Sequence, residues 1–347
     1  MKATSVSSAA MSNAQRYSQM RMQSDLVKAQ KEATTGTVAD VGLALGGRTA
    51  QAVTFSRDLD RLNVIIDSNA LVTARLTSTQ NSLGQLSDVA QDLLTALTAT
   101  GDSSSTITHD AGKAAVQQLT SILNTSVNGE YLFAGTNTDV KPVDDFTAAG
   151  SPAKAAFDAS FVAYFGFTQN DPAAASITAT QMDNFITTSV EPQFLGSGWQ
   201  TNWSNATDQQ ITSRIALNDT TQTSVSANSD SIRKLAMASA MITGLLSSNI
   251  SQAARNSVVT RSMSLVGETL GGLGQLQSQT GLVQKRVSDA SDRMKTQVDL
   301  FEKHILDLEG VDPAEAATRV ADLTQHIETS FALTARLQQL SLLNYLT

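Results

Sequence analysis

Cysteine is absent from this chain of 347 residues, which excludes a disulfide framework, a thiolate metal site and a cysteine nucleophile. Aromatic residues make up only 5% of it and proline occurs five times. Cations are in the minority, 24 Lys and Arg against 32 Asp and Glu for a formal charge of −8. Nucleic-acid binding rests on clustered Lys and Arg that release counterions, and no such stripe is present, so no nucleic-acid partner is expected. Long hydrophobic runs are missing too. The longest weakly polar stretch, Leu235 to Leu246, falls short of the roughly 18 to 20 residues that cross a bilayer, so no membrane span is expected. The opening Met1-Lys2-Ala3-Thr4-Ser5-Val6-Ser7-Ser8 has no apolar core of the ~7 to 15 residues that a cleavable signal peptide needs. The expectation is a cytoplasmic protein, or one exported by a route that reads no such signal.

What is present is unevenly spread. Pro142, Pro152, Pro172 and Pro192 fall in one short stretch and Pro313 stands alone, while 12 of the 17 aromatics lie between Tyr131 and Trp203. Proline costs a helix interior about 3 kcal/mol, so the two proline-free arms are free to be long helices and the middle is a segment of different kind. In the first arm Leu62, Ile66, Asn69, Thr73, Leu76, Gln80, Leu83, Leu86, Ala90, Leu93 and Leu97 recur in steps of three and four. Leu276, Thr280, Val283, Val287, Ala290, Met294, Gln297, Phe301, His304 and Leu308 repeat the pattern in the second, near a 3.5-residue period. Such narrow stripes bury themselves only against other helices, and a helix of about 40 residues would be roughly 60 Å long, which predicts an elongated rod.

The middle reads differently. Tyr131 to Gly135 and Ser160 to Phe167 are aromatic and β-branched runs between Pro, Gly and Asn, predicting short strands, with a short helix over Ala173 to Thr188. A strand pair is expected at Gln210 to Leu217 and Thr221 to Ser226 around Asn218-Asp219, after which the helical period resumes at Ser229. The fold class expected is therefore mainly α with an inserted β-rich domain, long antiparallel helices forming the rod and the two terminal arms paired. The expected organisation is a terminal coiled-coil region for polymerisation (1–45 with 310–347), a helical domain with a small β-hairpin (46–138 with 205–309) and a β-rich outer domain (139–204).

The chain ends carry the helical period into apolar faces. Val6, Ala10, Asn13, Tyr17, Met20, Ser24 and Val27 alternate steps of four and three, and Leu333, Leu337, Leu340, Leu343 and Leu346 line a face near the end. Folded back inside one subunit, the second face would be the last helix of a bundle. Left outside, it awaits neighbours. Residues 1 to 31 carry a net +4 and residues 312 to 347 a net −2, so the ends attract each other, although surface charge contributes little energy. Val6, Ala10, Tyr17, Met20, Val27, Leu333, Leu337, Leu340, Leu343 and Leu346 are the candidate assembly residues.

Chemistry-bearing patterns are sparse. Gly42-Leu43-Ala44-Leu45-Gly46-Gly47-Arg48-Thr49 has the spacing of a phosphate loop with Arg48 in place of lysine. Such a loop needs a strand before it, and the helical text around it favours a glycine-rich hinge. An enzyme or nucleotide-binding protein using that run is the reading from another class. His109, His304 and His326 lack partners at metal spacing, so no metal is expected. Asp144, Asp145 and Glu191 would serve glycoside chemistry only if paired on a concave surface, and loop carboxylates are usually solvated. Gly271-Gly272-Leu273-Gly274 predicts a bend or a thin place in a helix. No catalytic residue and no cofactor is expected.

Four stretches carry a resemblance. Val311-Asp312-Pro313-Ala314-Glu315-Ala316-Ala317-Thr318-Arg319, continuing to Ser341-Leu342-Leu343-Asn344-Tyr345-Leu346, is similar to the terminal helix of the flagellin-like axial proteins of the bacterial flagellum. Asn128-Gly129-Glu130-Tyr131-Leu132-Phe133-Ala134-Gly135-Thr136 resembles the segment that closes their first long helical region. Asn228 with Ile232-Arg233-Lys234-Leu235 resembles the return into the second, and Glu32 to Gly36 occupies the place of the helix break after the N-terminal helix. Together these cover roughly 1 to 140 and 205 to 347. Within the family the Tyr131 to Thr136 turn and the Leu342 to Leu346 end resemble the subunits that join hook to filament, with a filament flagellin as the alternative and a cytoplasmic coiled-coil adaptor behind both. The resemblance implies a structural role without catalysis, and export in an unfolded state through the flagellar type III apparatus to the extracellular flagellum. The partners it implies are the first hook-associated protein, flagellin, copies of the chain itself and a cytoplasmic export chaperone. It also implies terminal helices that become ordered on assembly.

Overall fold

The computed structural model describes residues 8–99, 105–246 and 249–343. They form two compact units, one from the chain ends (1–64 with 294–347) and one from residues 65–293. Long helices dominate both: α1 (Ser8–Thr35), α3 (Thr49–Ala99), α10 (Gln252–Glu309) and α11 (Pro313–Leu343), with a short α2 (Val41–Leu45) after the first break. The central unit adds α4 (Ser105–Leu123), α5 (Pro152–Phe165), α6 (Ala179–Phe185), α7 (Glu191–Phe194), α8 (Gly198–Asn202) and α9 (Asp230–Leu245). Its strands form two small hairpins, β1 (Ser126–Val127) with β2 (Glu130–Tyr131) and β3 (Thr212–Ala216) with β4 (Asp219–Gln222). The mainly α expectation and the paired terminal arms are both present.

The periodic residues of α3 do face inward. Leu62, Asn69, Leu76, Leu83, Leu86, Ala90, Leu93 and Leu97 are all buried, as are Thr280, Val287, Ala290 and Met294 of α10. In the central unit two polar members of the α3 stripe bond to neighbouring elements. Asn69 Nδ2 donates to the Ile215 carbonyl at 2.9 Å and to Ser291 Oγ at 3.0 Å, and Gln80 Nε2 donates to the Gln277 carbonyl at 2.9 Å. A buried amide that finds its partners in one alignment only fixes which turn of one helix meets which turn of the other.

Helices α4 and α9 cross close together. A Cβ at Gly112 would lie 2.8 Å from Ile242 Cβ, so only glycine permits this approach. The Gly271 to Gly274 run lies inside α10, where a side chain at Gly272 would run into Ser231 at the start of α9. It is a thin place made for a neighbouring helix.

The middle segment departs from the β-rich expectation. Ser160 to Phe167, expected as a strand, lies mostly in α5. Ser151 caps that helix by accepting from the Lys154 amide, Pro152 occupies its first turn, and Gly166 ends it with a left-handed φ of 83°. Phe157, Phe161 and Phe165 are spaced four apart and share one helical face, which outweighs the strand preference of each ring taken singly. Between residues 139 and 204 the described residues contain helices and a single β-bridge, Val143 with Ser204. The helix expected over Ala173 to Thr188 is present as α6, with a capping box from Thr178 and Gln181. Phe146 stacks on Trp203 at 5.0 Å and Trp199 on Trp203 at 5.5 Å. These rings join Leu93, Leu119 and Ile242 of the long helices in one continuous apolar cluster. Each such buried side chain contributes roughly 1.5 to 3 kcal/mol. The expected hairpin forms with its turn one residue earlier, at Leu217-Asn218, and its second strand at Asp219–Gln222 rather than Thr221 to Ser226, β3 pairing with β4 from Thr212–Gln222 to Ala216–Asp219.

In the end unit, α1 and α11 run antiparallel. Gln19 meets Ser330 and Thr334, Glu32 meets Arg319, and the Gly36 carbonyl accepts from the Val311 amide. Phe55 of α3 lies between Phe301 and His304 of α10, at 5.6 and 5.4 Å. The Gly42 to Thr49 run is a short helix and a single 3-10 turn, with Asp40 Oδ1 accepting from the Leu43 amide and no strand leading into it.

Candidate assembly interface

Among the described side chains of α1, Gln15, Gln19, Met22, Leu26 and Ala29 lose exposure at alternating steps of four and three, followed by Glu32 and Ala33 beside the break. On α11 they are Ala316, Val320, Leu323, Ile327, Ser330 and Thr334. This seam is apolar near the helix break and polar toward the tip. Gln19 Nε2 donates to Ser330 Oγ and to Thr334 Oγ1, both at 3.3 Å. Small and polar side chains remove little apolar area from water, so the outer half of the seam contributes little hydrophobic free energy.

Other large apolar groups point outward. Tyr17 is 73% exposed, Val27 65% and Met20 58%, and Met11 is half exposed on the same helix. Ala10 is exposed as well. On α11 Leu333 and Phe331 are each more than half exposed. Arg21, Lys28 and Lys31 share the outward side of α1 with Tyr17 and Met20, and Asp322, Glu328 and Arg336 are exposed on α11. Val6 and Leu346 lie outside the described residues. Leu337, Leu340 and Leu343 belong to the α11 backbone, with their side chains outside the described residues.

The structure thus places Ala10, Tyr17, Met20 and Val27 on one outward face of α1, and Leu333 on the exposed surface of α11. The contact between the two helices is made by other residues. Gln15 and Gln19 escaped the sequence reading because they are polar. The usable signal was the seven-residue recurrence of Ala316, Leu323 and Ser330, which marks a face by spacing rather than by oiliness.

Groups with chemical potential are engaged elsewhere. Asp145 accepts from the amide and hydroxyl of Thr147 at 2.8 Å, and Glu191 is paired with Arg261. His109 lies against Asp110 and His304 against Phe55. Among the described residues no three His, Cys, Asp or Glu side chains gather as metal ligands, and no helix is long and apolar enough to cross a membrane.

Comparison with known proteins agrees on both arms. Residues 6–138 match the bacterial flagellin N-terminal helical region and residues 263–346 the bacterial flagellin C-terminal helical region. No match is found among curated proteins. A solved structure described as a flagellar hook-associated protein from Vibrio parahaemolyticus is similar over 76% of this chain and 97% of its own, with 11% identity and a TM-score of 0.52. At that identity the likeness concerns the fold.

Proposed function

We propose that this chain, which belongs to the bacterial flagellin family through both of its terminal helical regions, is the subunit that joins hook to filament, hook-associated protein 3. As a flagellin-like axial protein it is a structural component of the flagellum, and no catalytic step is assigned to it. Its neighbours in this reading are the first hook-associated protein on one side, flagellin on the other, and further copies of itself around the axis. It reaches that place through the flagellar type III export apparatus after release from a cytoplasmic chaperone.

The observation that carries the reading is the incomplete cover of the terminal pair: Met22, Leu26, Leu323 and Ile327 lie on the covered side in its inner half, only Gln15, Gln19, Ser330 and Thr334 toward the tip, and Tyr17, Met20, Val27 and Leu333 stay outside. Helices that bury so little within the chain are marginal alone, since ordering costs about 1 to 2 kcal/mol per residue. Neighbouring subunits supply the missing burial through Ala10, Tyr17, Met20 and Val27 of α1 and Leu333 of α11. The extension of these stripes to Val6, Leu337, Leu340, Leu343 and Leu346 belongs to the same proposal. A contact between two different faces, repeated around an axis, builds a ring or tube rather than a closed pair. In this scheme 1–45 with 310–347 is the polymerising region, and 139–204 is the segment turned away from the axis.

Antibody labelling of isolated flagella tests the assignment. Label at the boundary between hook and filament is expected, in trace amount relative to flagellin. The terminal regions that match are shared with filament subunits, so a filament flagellin is the second reading, and label along the whole filament would establish it. Label confined to the cell interior would end both.

A further inference from the structure

Methionine occupies two settings in this chain. Met1, Met11, Met20 and Met22 stand near its start, and Met182, Met237, Met241, Met263 and Met294 belong to its later part. Met182, Met237 and Met241 are fully buried and Met294 is buried nearly as well. Met11 and Met20 are the opposite, 48% and 58% exposed, while Met22 is half-buried. Met20 shares the outward face of α1 with Tyr17 and Val27. A leucine there would offer a similar apolar area and a similar helix propensity. What methionine adds is a thioether sulfur, which peroxides oxidise while they leave hydrocarbon side chains intact.

We propose that Met20 is a site of reversible oxidation by hydrogen peroxide, and that the sulfoxide holds an unassembled chain out of the polymer. The sulfur lone pair attacks one peroxide oxygen, the O–O bond breaks, and the second oxygen leaves as water with both hydrogens. The thioether is oxidised to the sulfoxide and the peroxide is reduced. Access to the sulfur does not depend on α1 being formed before assembly, since an unfolded stretch exposes it further. The consequence rests on the reading above, in which neighbouring subunits cover the Met20 face. The sulfoxide oxygen is a strong hydrogen-bond acceptor, and covering it with apolar groups that offer no donor weakens the contact roughly tenfold. The same cover shuts peroxide out once the chain is in place. Modification therefore acts before assembly, and the central methionines keep the rest of the chain out of its reach.

The first test needs only the purified full-length monomer. After graded treatment with hydrogen peroxide and digestion, mass spectrometry reads the oxygen gained at each methionine. Met20 is expected to react at least about ten times faster than Met182, Met237 and Met241. Equal rates, or a Met20 that resists while those react, would overturn the proposal and leave the flagellar assignment untouched. The second test scores attachment of the chain, by antibody label, to hooks isolated from cells that lack it. Treated parent is expected to attach about tenfold less than untreated parent, and to recover after methionine sulfoxide reductase with a dithiol reductant. Met20→Leu, whatever its own level of attachment, should lose none of it on treatment. Met20→Gln, whose amide stands in for the polarity of the sulfoxide, should attach poorly without any peroxide. Attachment of the parent unchanged by treatment, or Met20→Leu as sensitive as the parent, sinks the role given to Met20. Untreated parent that fails to attach overturns the hook-to-filament reading instead, and the consequence drawn from it.

Discussion

The central unit and the terminal helix pair are built from the same kind of long helix and solve burial in opposite ways. Around α4 and α9 the chain puts Leu, Ile, Met and a group of stacked rings inside, and lets glycine bring backbones together where no side chain fits. Between α1 and α11 it puts Gln, Ser and Thr inside toward the tip, and leaves Tyr17, Met20 and Leu333 in solvent. Helical period alone therefore does not say which side of a helix its own chain covers. The chemistry of the covered side separates a helix that is complete within the subunit from one whose burial is left to neighbours.

Four substitutions, in three tests, sharpen or break this contrast. The largest effect belongs to the central unit. Phe157 is fully buried, stands edge-on to Phe146 and fills the space beside Gly244. Phe157→Ala is expected to lower the unfolding free energy by about 3 to 5 kcal/mol, read from urea denaturation. A loss below about 1 kcal/mol would mean that the ring cluster is not the tightly packed core described above.

The second concerns the terminal pair. In the isolated monomer, Leu26→Ala on the covered side of α1 should cost about 1 kcal/mol, a fraction of a fully buried leucine, whereas Tyr17→Ala on the open side should stay within about 0.5 kcal/mol. Thermal loss of helix signal compares the two. A Tyr17→Ala loss equal to or greater than that of Leu26→Ala would show the outward face to be covered by the chain itself, and the contrast would fail.

The smallest effect is electrostatic. The Glu268 carboxyl is held below its ordinary value chiefly by the hydrogen bond from Lys234, 2.8 Å away, with desolvation opposing and Lys234, Arg261 and Ser264 adding to the lowering. A lowered folded-state value means the stabilisation is complete above the unfolded carboxylate's ordinary value and is lost as the pH falls through the folded one. Because the Glu268 side chain is half exposed, the amount is a few tenths of a kcal/mol after solvent screening. The unfolding midpoints of the parent and Glu268→Gln should differ slightly near neutral pH and converge in acid. A gap that widened in acid would reverse the sign argued here.

Much of the architecture was legible because apolar period is a strong signal over many turns. The stripes through Leu76 and Val287, the hairpin near Asn218 and the break near Gly36 were all readable. The helix α5 was missed because aromatic and β-branched residues weigh toward strands when taken singly, yet Ser151-Pro152 at its start and Gly166 at its end were the cap signals that override them. At the candidate interface the outward residues could be found from oiliness. Their counterpart seam could not, since Gln15, Gln19, Ser330 and Thr334 look like solvent residues until another helix lies over them. The bond from the Val311 amide to the Gly36 carbonyl was invisible for a different reason: it is main-chain to main-chain, between residues far apart in sequence.

Trp199 and Trp203 are the chain's full complement of indoles, and both belong to the stack with Phe146 and Phe194. Tryptophan emission from the intact protein is thus a local gauge of the middle segment, blind to the terminal helices. A fluorescence melt and a melt followed by backbone dichroism will consequently trace different parts of the same molecule, and the interval between the two curves measures how far the ends loosen before the middle gives way.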